Sequence, residues 1–411
     1  MKTYLVGGAV RDQLLGLPVK DRDHLVVGAS VDEMKAAGYR QVGKSFPVFL
    51  HPESGEEYAL ARTERKSGVG YGGFDFDAAP TVTLEEDLVR RDLTINAMAM
   101  DEAGTLHDPH NGLADLQDRT LRHVSPAFVE DPLRVLRIAR FCARFHSLGF
   151  TIAGETLALM TQLSTSGELS HLTAERVWQE TERALGEASP QQYFEVLAQC
   201  GAFAVLFPEL EALRGVPQPE AYHGGLDAWQ HTLLALQQAA TEQAEGPVRF
   251  AVLTHDLGKA LTPEAQWPRH IGHEQAGVEP LQQLCRRLKV PNEWRDLALH
   301  VCEQHLKVHR ALELKPSTLL ALFDRCDAWR KPARFQQLLT ACRLDAIGRP
   351  GRSKDPYPAE DYLSRALAEA NRIDVKAVIA EGHQGAQIRE ALTQRRLERL
   401  QVLKAEATER Q

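Results

Sequence analysis

Two aspartates near the amino terminus, Asp21 and Asp23, have a spacing that suits divalent metal ions. They stand two residues apart where a strand is expected to begin, and alternate residues of a strand point to the same face. Carboxylate oxygens are the ligands that Mg²⁺ prefers, and a pair of Mg²⁺ ions can clamp the reacting oxygens of a phosphate. The pattern therefore predicts a nucleotidyl-transfer site, and the alternative is a pair of acids that only solvates a strand end.

A pair of glycines just before these acids suits the binding of a phosphate. Thr3 to Val6 is a short apolar strand, Gly7-Gly8 is a turn without side chains, and Ala9 to Leu15 is predicted to be helical. Backbone N–H groups and the partial positive charge of a helix N-terminus attract a phosphate in such a turn. The glycines and the acids, within about twenty residues of one another, together favour a nucleotide site over two unrelated surface features.

A helix that begins near Pro132 carries a row of arginines. Arg134, Arg137 and Arg140 share one stripe at helical spacing, and apolar residues cover much of the opposite side. Asp131 can accept a hydrogen bond from an exocyclic amine, and Arg134 can donate two parallel ones. Cytosine and adenine both present an amine donor beside a ring acceptor, so this pair can select CTP and ATP without a nucleic-acid template. The alternative is a solvated basic helix face.

A second group of candidate metal ligands lies in the other half of the chain. His231 follows the start of a helix at Ala228, and the adjacent His255 and Asp256 end another apolar helix. Imidazole nitrogens and a carboxylate suit Mn²⁺, Ni²⁺, Co²⁺ or Mg²⁺. Further candidates, among which the sequence does not choose, are His270, His273, His300, His305 and Asp345. His270 and His273 flank a glycine, so a surface loop is the expectation for these two.

These motifs resemble a known family. Gly7-Gly8-x-Val10-Arg11-Asp12 followed by Asp21-x-Asp23 resembles the head of the DNA polymerase β-like nucleotidyltransferases. The match is closest to the class II tRNA nucleotidyltransferases, the CCA-adding enzymes. R-R-D-x-T-x-N-A around Arg91 and E-D-x-x-R around Asp131 resemble further motifs of that family, and H…HD-x-G-K resembles HD-domain phosphohydrolases. The resemblance covers essentially the whole chain for bacterial members that are multifunctional and carry an HD domain.

The resemblance implies template-independent addition and repair of the 3′-terminal CCA of tRNA from CTP and ATP. Asp21 and Asp23 would be catalytic and would bind Mg²⁺, and Glu57 could be a third carboxylate, its alternative being an exposed strand-end acid. Asn96 would hold the geometry of the site. The nucleotide would contact Gly8, Arg11, Arg91, Asp131, Arg134, Arg137 and Arg140.

For the second site, the resemblance implies a metal-dependent phosphohydrolase. His231, His255 and Asp256 would bind Ni²⁺ or another divalent transition metal, and the last two would be catalytic. Phosphatase, 2′-nucleotidase and 2′,3′-cyclic phosphodiesterase activities are the expected reactions. The alternatives are a poly(A) polymerase and an HD phosphohydrolase whose head is regulatory, and a non-enzymatic RNA-binding module would need a stronger basic bias.

Composition sets limits on this interpretation. The 411 residues carry a net charge of −8, which argues against a nonspecific polyanion binder, so any RNA contact requires local positive charge. The six cysteines form no C-x-x-C pair and are expected to be buried thiols in a reducing cytoplasm. The sequence contains neither a transmembrane-length apolar run nor a signal-peptide pattern. We expect a cytoplasmic enzyme, monomeric or homodimeric, whose partners are tRNA, ATP and CTP.

The predicted fold class is α+β. A small mixed-sheet polymerase β-like head over residues 1–140 is followed by an all-α neck over 141–212, an HD domain over 226–332 and a helical tail over 333–411. The basic, glycine-rich stretch 62–73 is expected to be a mobile loop near the triphosphate. Thr173 is expected to cap a helix whose Glu175 and Arg176 buttress the arginine-rich helix.

Overall fold

The structure is a computed structural model that describes residues 1–42, 48–66 and 74–409. It divides into two compact units, Met1–Leu206 and Phe207–Gln411. The first unit contains a mixed sheet and helices, and the second is helical throughout its described residues, so the predicted α+β class is confirmed.

The first unit is organised around a seven-stranded sheet with the order β3-β4-β5-β2-β1-β8-β9. The described strands are β1 (Lys2–Val6), β2 (Asp23–Val27), β3 (Arg40–Gln41), β4 (Val48–Leu50), β5 (Glu57–Leu60), β6 (Thr63–Lys66), β7 (Phe74–Asp77), β8 (Ala99–Asp101), β9 (Leu106–His107), β10 (Thr120–Leu121) and β11 (Thr151–Ile152). Antiparallel pairing places Val6 opposite Asp23, and parallel pairing of β2 with β5 places Asp23 opposite Glu57. This register brings the glycine turn and two carboxylates to one end of the sheet.

The helices of the first unit cover the sheet and continue beyond it. They are α1 (Gly8–Leu14), α2 (Val31–Ala36), α3 (Leu84–Leu88), α4 (Gly112–Gln117), α5 (Leu133–Phe145), α6 (Gly154–Thr165), α7 (Ala174–Leu185), α8 (Gln191–Gln199) and α9 (Ala202–Leu206). Helix α5 packs against α7 and α8, and its apolar residues Val135, Leu136 and Ile138 are fully buried. Burial of this face leaves the arginine face of α5 available to the site.

Two local expectations for this unit were wrong. Thr63–Lys66 is a strand that pairs antiparallel with Phe74–Asp77. These four residues therefore do not belong to a loop. The rest of the expected loop, residues 67–73, lies outside the described residues. Thr173 precedes α7, but its side chain makes no capping hydrogen bond, and α7 is held by the burial of Val177 and Trp178.

The second unit is a succession of helices. They are α10 (Pro208–Glu211), α11 (Glu220–His223), α12 (Ala228–Thr241), α13 (Gly246–Thr254), α14 (His273–Ala276), α15 (Val278–Leu288), α16 (Asn292–His309), α17 (Pro316–Arg325), α18 (Pro332–Ile347), α19 (Pro358–Asn371), α20 (Val375–Ala380) and α21 (Ala386–Glu409). Neither here nor in the first unit is any described helix both long and apolar enough to span a bilayer. Prolines begin α17, α18 and α19, as expected of a residue favoured in the first helical turn. Helix α13 packs against α12, α16 and α18, which together carry most of the histidines considered below.

A close backbone approach fixes the turn after α13. Gly258 lies in the 3₁₀ segment Leu257–Leu261, and a Cβ atom built on it would lie 1.9 Å from the carbonyl oxygen of His273. The same Cβ would lie 2.5 Å from the amide nitrogen of Gly277. Only glycine permits this contact, which holds the start of α14 against the end of α13.

We predict that Gly258→Ala destabilises the second unit by about 3 kcal/mol, the upper end of the usual cost of over-packing, because backbone atoms have little room to move. Urea unfolding followed by circular dichroism measures this. Gly154→Ala is the control, since Gly154 has a negative φ and no atom within 4 Å of its Cβ position. Equal unfolding midpoints for the two variants would contradict the prediction.

Candidate active sites

A cavity of about 590 Å³ in the first unit collects most of the residues predicted to bind a nucleotide. The backbone of Gly7 has φ +65°, so the turn needs glycine for its conformation, and a Cβ there would also lie 2.9 Å from Nη1 of Arg91. Of the predicted site residues, those that line the cavity are Gly8, Arg11, Asp23, Arg91, Asp131, Arg134, Arg137 and Arg140. Glu57 and Asn96 line it as well.

Only one of the two predicted catalytic aspartates lines the cavity. Strand β2 begins at Asp23, as predicted, and Asp21 precedes the strand, is exposed and does not line the cavity. Partial burial raises the pKa of Asp23, Arg91 opposes that rise, and the nearby Asp21 adds to it. Glu57 lies beside Asp23 on the neighbouring strand. Within the described residues these three carboxylates do not converge closely enough to form a metal-binding group, so a shared divalent cation would have to draw them together.

A chain of buried polar contacts sets the floor of the cavity. Nη1 of Arg11 donates to Oδ1 of Asn96 at 2.5 Å, and Nδ2 of Asn96 donates to Oδ1 of Asp92 at 3.0 Å. Nε of Arg137 donates to the other oxygen of Asp92 at 2.7 Å. Burial alone would raise the pKa of Asp92, but Arg137, Asn96 and Arg134 together outweigh burial and hold that pKa well below its usual range. Asn96 thus positions α1 against α5, in keeping with the role the resemblance implied.

Acids also anchor the other arginines. Asp87 is fully buried and accepts hydrogen bonds from Arg90 at 2.6 Å and Arg91 at 3.2 Å. Glu180 of α7 accepts from Nε of Arg140 at 2.7 Å. Asp87, Asp92 and Glu180 were not among the predicted site residues. Only Asp92 carried a sequence signal, because it is the aspartate of the R-R-D motif.

Asp131 and Arg134 occupy fixed positions at the start of α5. Asp131 accepts from the backbone N–H of Leu133 at 3.1 Å, and Nη2 of Arg176 lies 3.2 Å from its Oδ2. Arg134 donates to the backbone carbonyls of Ala127 at 2.9 Å and Arg90 at 2.5 Å. The buttressing position expected for Arg176 matches this contact, which restrains Asp131 within the cavity wall.

In the second unit, buried side chains form two groups that could each hold a metal ion, namely His231, His255 and Asp345, and Asp256, His273 and His305. Nε2 of His231 lies 2.7 Å and Nε2 of His255 lies 3.5 Å from Oδ1 of Asp345. Asp256 belongs to the other group, although its Oδ2 lies 3.1 Å from Nε2 of His255. The predicted ligand set is therefore divided between two adjoining groups.

The expectation of a surface loop at His270 and His273 was wrong, because both are buried. His270 bonds to Oγ1 of Thr262 and to the carbonyl of Pro217, each at 2.7 Å, and His273 begins α14. His300 is half-buried on α16 and belongs to neither group. Sequence reasoning missed His309, whose Nε2 lies 2.7 Å from Oδ2 of Asp345.

Two buried carboxylates at this site are balanced by neighbouring cationic groups. Burial lowers the pKa of His255, but Asp256 and Asp345 outweigh it and raise that pKa to about 10. Burial would raise the pKa of Asp256, and His255 and Lys259 instead lower it well below its usual range. Lys259 places its Nζ 2.6 Å from Oδ2 of Asp256. Asp256 and Asp345 supply carboxylate oxygens beside imidazole nitrogens, a donor set that suits a divalent transition metal when the metal displaces the proton of His255.

Comparison with known protein families matches three segments of the chain to three family models. Residues 3–122 match the family model "Poly A polymerase head domain", residues 149–213 match "Probable RNA and SrmB- binding site of polymerase A", and residues 228–329 match "HD domain". The multifunctional CCA protein of Shewanella denitrificans is 60% identical over 397 residues, which are 97% of this chain and 96% of that one.

Solved structures show the same fold. A crystal structure of the Bacillus stearothermophilus CCA-adding enzyme in complex with CTP has a TM-score of 0.63 at 26% identity, covering 95% of this chain and 86% of that one. The Thermotoga maritima CCA-adding enzyme complexed with tRNA has a TM-score of 0.62 at 21% identity, covering 99% and 91%. Head, neck and second unit all contribute to these matches.

The fold and the two sites define a nucleotidyltransferase class in which a poly(A) polymerase-type head is combined with an HD domain. Within that class, the chain belongs to the family of multifunctional CCA proteins.

We predict that Asp92→Ala destabilises the first unit by about 2–3 kcal/mol, because it leaves Arg137 and Asn96 without their shared acceptor. The value is below the usual cost of breaking a buried pair because Arg137 is partly exposed. Urea unfolding monitored by circular dichroism measures the loss. Asp118→Ala, which removes an exposed carboxylate, is the control, and an equal effect of the two substitutions would show that the Asp92 network is not stabilising.

Proposed function

We propose that this chain adds and repairs the 3′-terminal CCA of tRNA with CTP and ATP. The observation that carries the proposal is the convergence of the glycine turn, Asp23 and the arginines of α5 on one cavity. In this reaction the RNA 3′-hydroxyl attacks the α-phosphate of the nucleotide and pyrophosphate leaves. Asp21 and Asp23, with Glu57 beside them, would hold Mg²⁺, which when bound activates the hydroxyl and offsets phosphate charge.

The remaining cavity residues position the nucleotide. The backbone at Gly8 and the guanidinium groups of Arg11 and Arg91 lie where a triphosphate would face the glycine turn. Arg137 and Arg140, held by Asp92 and Glu180, present fixed positive charge along α5. Because these guanidinium groups are already held in place, little side-chain freedom is lost when the nucleotide binds.

Asp131 and Arg134 would select the base. The carboxylate of Asp131 accepts from an exocyclic amine, and Arg134 keeps N–H groups beyond those that its two backbone contacts use. Uracil and guanine do not present an amine donor beside a ring acceptor in that order, so they are rejected. Restraint of both side chains by Arg176 and by backbone carbonyls supports selection without a template.

We further propose that the second unit is a phosphohydrolase that acts on damaged RNA 3′ ends, as a phosphatase, 2′-nucleotidase and 2′,3′-cyclic phosphodiesterase. The buried group of His231, His255 and Asp345, with Asp256 in contact with His255, supports a divalent transition metal such as Ni²⁺, which would polarise the phosphate and its attacking water. The unpaired thiols of all six cysteines favour a cytoplasmic location.

The test compares one variant of each site in both reactions. Purified Asp23→Asn and His255→Asn variants are given tRNA that lacks its 3′ end, with labelled CTP, ATP and Mg²⁺, and separately a nucleoside 2′,3′-cyclic phosphate with Ni²⁺. We expect Asp23→Asn to lose transfer by about 10²–10³-fold and keep hydrolysis, since a metal ligand contributes several kcal/mol. His255→Asn should show the reverse.

The other possible outcomes would contradict the proposed function. Unlimited addition of A by the unmodified chain would indicate a poly(A) polymerase. Hydrolysis without any addition would indicate an HD phosphohydrolase whose head is regulatory. Loss of both activities in either variant would contradict the assignment of the two reactions to separate sites.

A second prediction concerns base selection. Asp131→Ala should lower kcat/KM for CTP and ATP relative to UTP by about 5- to 150-fold, the range that one base-reading pair provides. Single-turnover incorporation of each nucleotide into tRNA measures the ratios. Glu130→Ala is the matched control, because it removes the preceding carboxylate of the same motif. Unchanged ratios in Asp131→Ala would remove Asp131 from base recognition.

A further inference from the structure

The cavity beside the buried histidines of the second unit is small and carries charges of both signs. It measures about 130 Å³, which is roughly the volume of four water molecules in the liquid. Pockets that enclose a whole small-molecule ligand are usually more than twice as large. The cavity therefore suits a phosphate group and part of the sugar that carries it, while the rest of a nucleotide would lie outside.

Three cationic side chains line this cavity, and they differ in what already holds them. Nζ of Lys259 lies 2.6 Å from Oδ2 of Asp256 and donates to Oε1 of Gln218 at 2.6 Å, so its charge is largely offset. Arg269 is exposed, and water solvates its charge. Arg349 is half-buried, and its Nε is closed off from solvent without an acceptor in the described part of the chain. A shielded donor of a charged group is costly until an acceptor reaches it.

The backbone holds Arg349 at the wall of the cavity. Helix α18 ends at Ile347, and a Cβ atom built on the following Gly348 would lie 2.5 Å from Cα of Ala235 on α12. This close contact fixes the end of α18 against α12, and Arg349 follows it directly. Asp345, which also lines the cavity, lies in the last turn of the same helix. The position of Arg349 is thus set by helix packing and leaves its guanidinium group free to bind a ligand.

The charges around the cavity indicate what that ligand is. Asp256 and Asp345 are buried in its wall, so an anion that enters requires a cationic group of its own. A guanidinium group donates two parallel hydrogen bonds that match two oxygens of a phosphate. Among the cationic groups of the cavity, Arg349 combines partial burial with a donor that lacks an acceptor.

We propose that Arg349 binds the phosphate group of the substrate in the second unit. The inference rests on the proposed hydrolase function of this unit and adds a substrate-binding residue to it. Phosphate monoesters and 2′,3′-cyclic phosphates both carry phosphate oxygens that are not bonded to carbon, and these are the oxygens that Arg349 contacts. The contact is therefore common to both classes of substrate and independent of the base.

Steady-state hydrolysis by the full-length, Ni²⁺-loaded protein tests the proposal with two substrates that share only the phosphate, adenosine 2′,3′-cyclic phosphate and p-nitrophenyl phosphate. We expect Arg349→Gln to raise KM for both by about 10- to 100-fold, the effect of losing hydrogen bonds to a charged group. The value of kcat should change by less than about threefold, because a contact made both before and during the reaction affects KM alone. Arg349→Lys keeps the charge without the planar fork and should have an intermediate KM.

Arg352→Gln is the matched control, because Arg352 belongs to the same segment, is exposed and lies outside the cavity. Its KM values should equal those of the unmodified chain. Bound nickel per chain, measured by mass spectrometry, should be the same in all of these proteins, and circular dichroism shows whether they are folded. A purely structural role of Arg349 would instead lower the nickel content and kcat together, and this result would overturn the proposal.

The remaining outcomes separate this inference from the proposed function. Hydrolysis by Arg349→Gln with unchanged KM for both substrates would overturn the inference and leave the hydrolase function in place. A raised KM for one substrate alone would assign Arg349 to a group other than the shared phosphate, and it would overturn the inference as well. Absence of hydrolysis by the unmodified chain would overturn both.

Discussion

The pairing of Asp92 with Arg137 joins the sheet-bearing part of the first unit to its helical part. A charge as deeply buried as Asp92 is costly unless a counter-charge and further hydrogen bonds accompany it. Arg137 supplies the charge, and Asn96 and the backbone N–H of Leu93 supply the hydrogen bonds. Asn96 in turn holds Arg11 at the start of the chain. The carboxylate of Asp92 therefore links α1, the segment after α3, and α5, and a second ion pair between Asp12 and Arg144 joins α1 directly to α5.

The same requirement explains why a row of arginines can line a cavity without repelling itself apart. Each guanidinium in the row has an acid or a backbone carbonyl behind it, with Glu180 behind Arg140 and the carbonyls of Ala127 and Arg90 behind Arg134. The arginines thus present positive charge to the cavity, while the acids and carbonyls that hold them offset part of that charge. The net charge of −8 therefore does not prevent local positive charge, because arginines outnumber the acids that line this cavity.

Short-range patterns predicted the parts of both sites that are local in sequence. Gly7-Gly8, the helical stripe of Arg134, Arg137 and Arg140, and the helices bearing His231 and His255 all follow from spacing of a few residues. Contacts between distant segments could not be predicted this way: Asp345 is 114 residues from His231, and Asp92 is 45 from Arg137. The strand predicted to begin at Asp23 does begin there, but the alternation of side chains along a strand does not extend to Asp21, which precedes β2 and is exposed.

The two sites are distinguished by their donor atoms, and this difference bears on how one chain can carry out two reactions. The carboxylates of Asp21, Asp23 and Glu57 offer only oxygen, whereas the second unit offers the imidazole nitrogens of His231, His255, His273 and His305 beside Asp256 and Asp345. Oxygen-only ligands suit the abundant hard ion Mg²⁺, and imidazole selects the softer transition ions. Under the two proposed functions, a change in the supply of one metal would alter one reaction without displacing the ion of the other. Because the two sets of ligands differ in chemistry, neither site needs the other to select its metal ion. Each site can therefore be understood from its own charged residues.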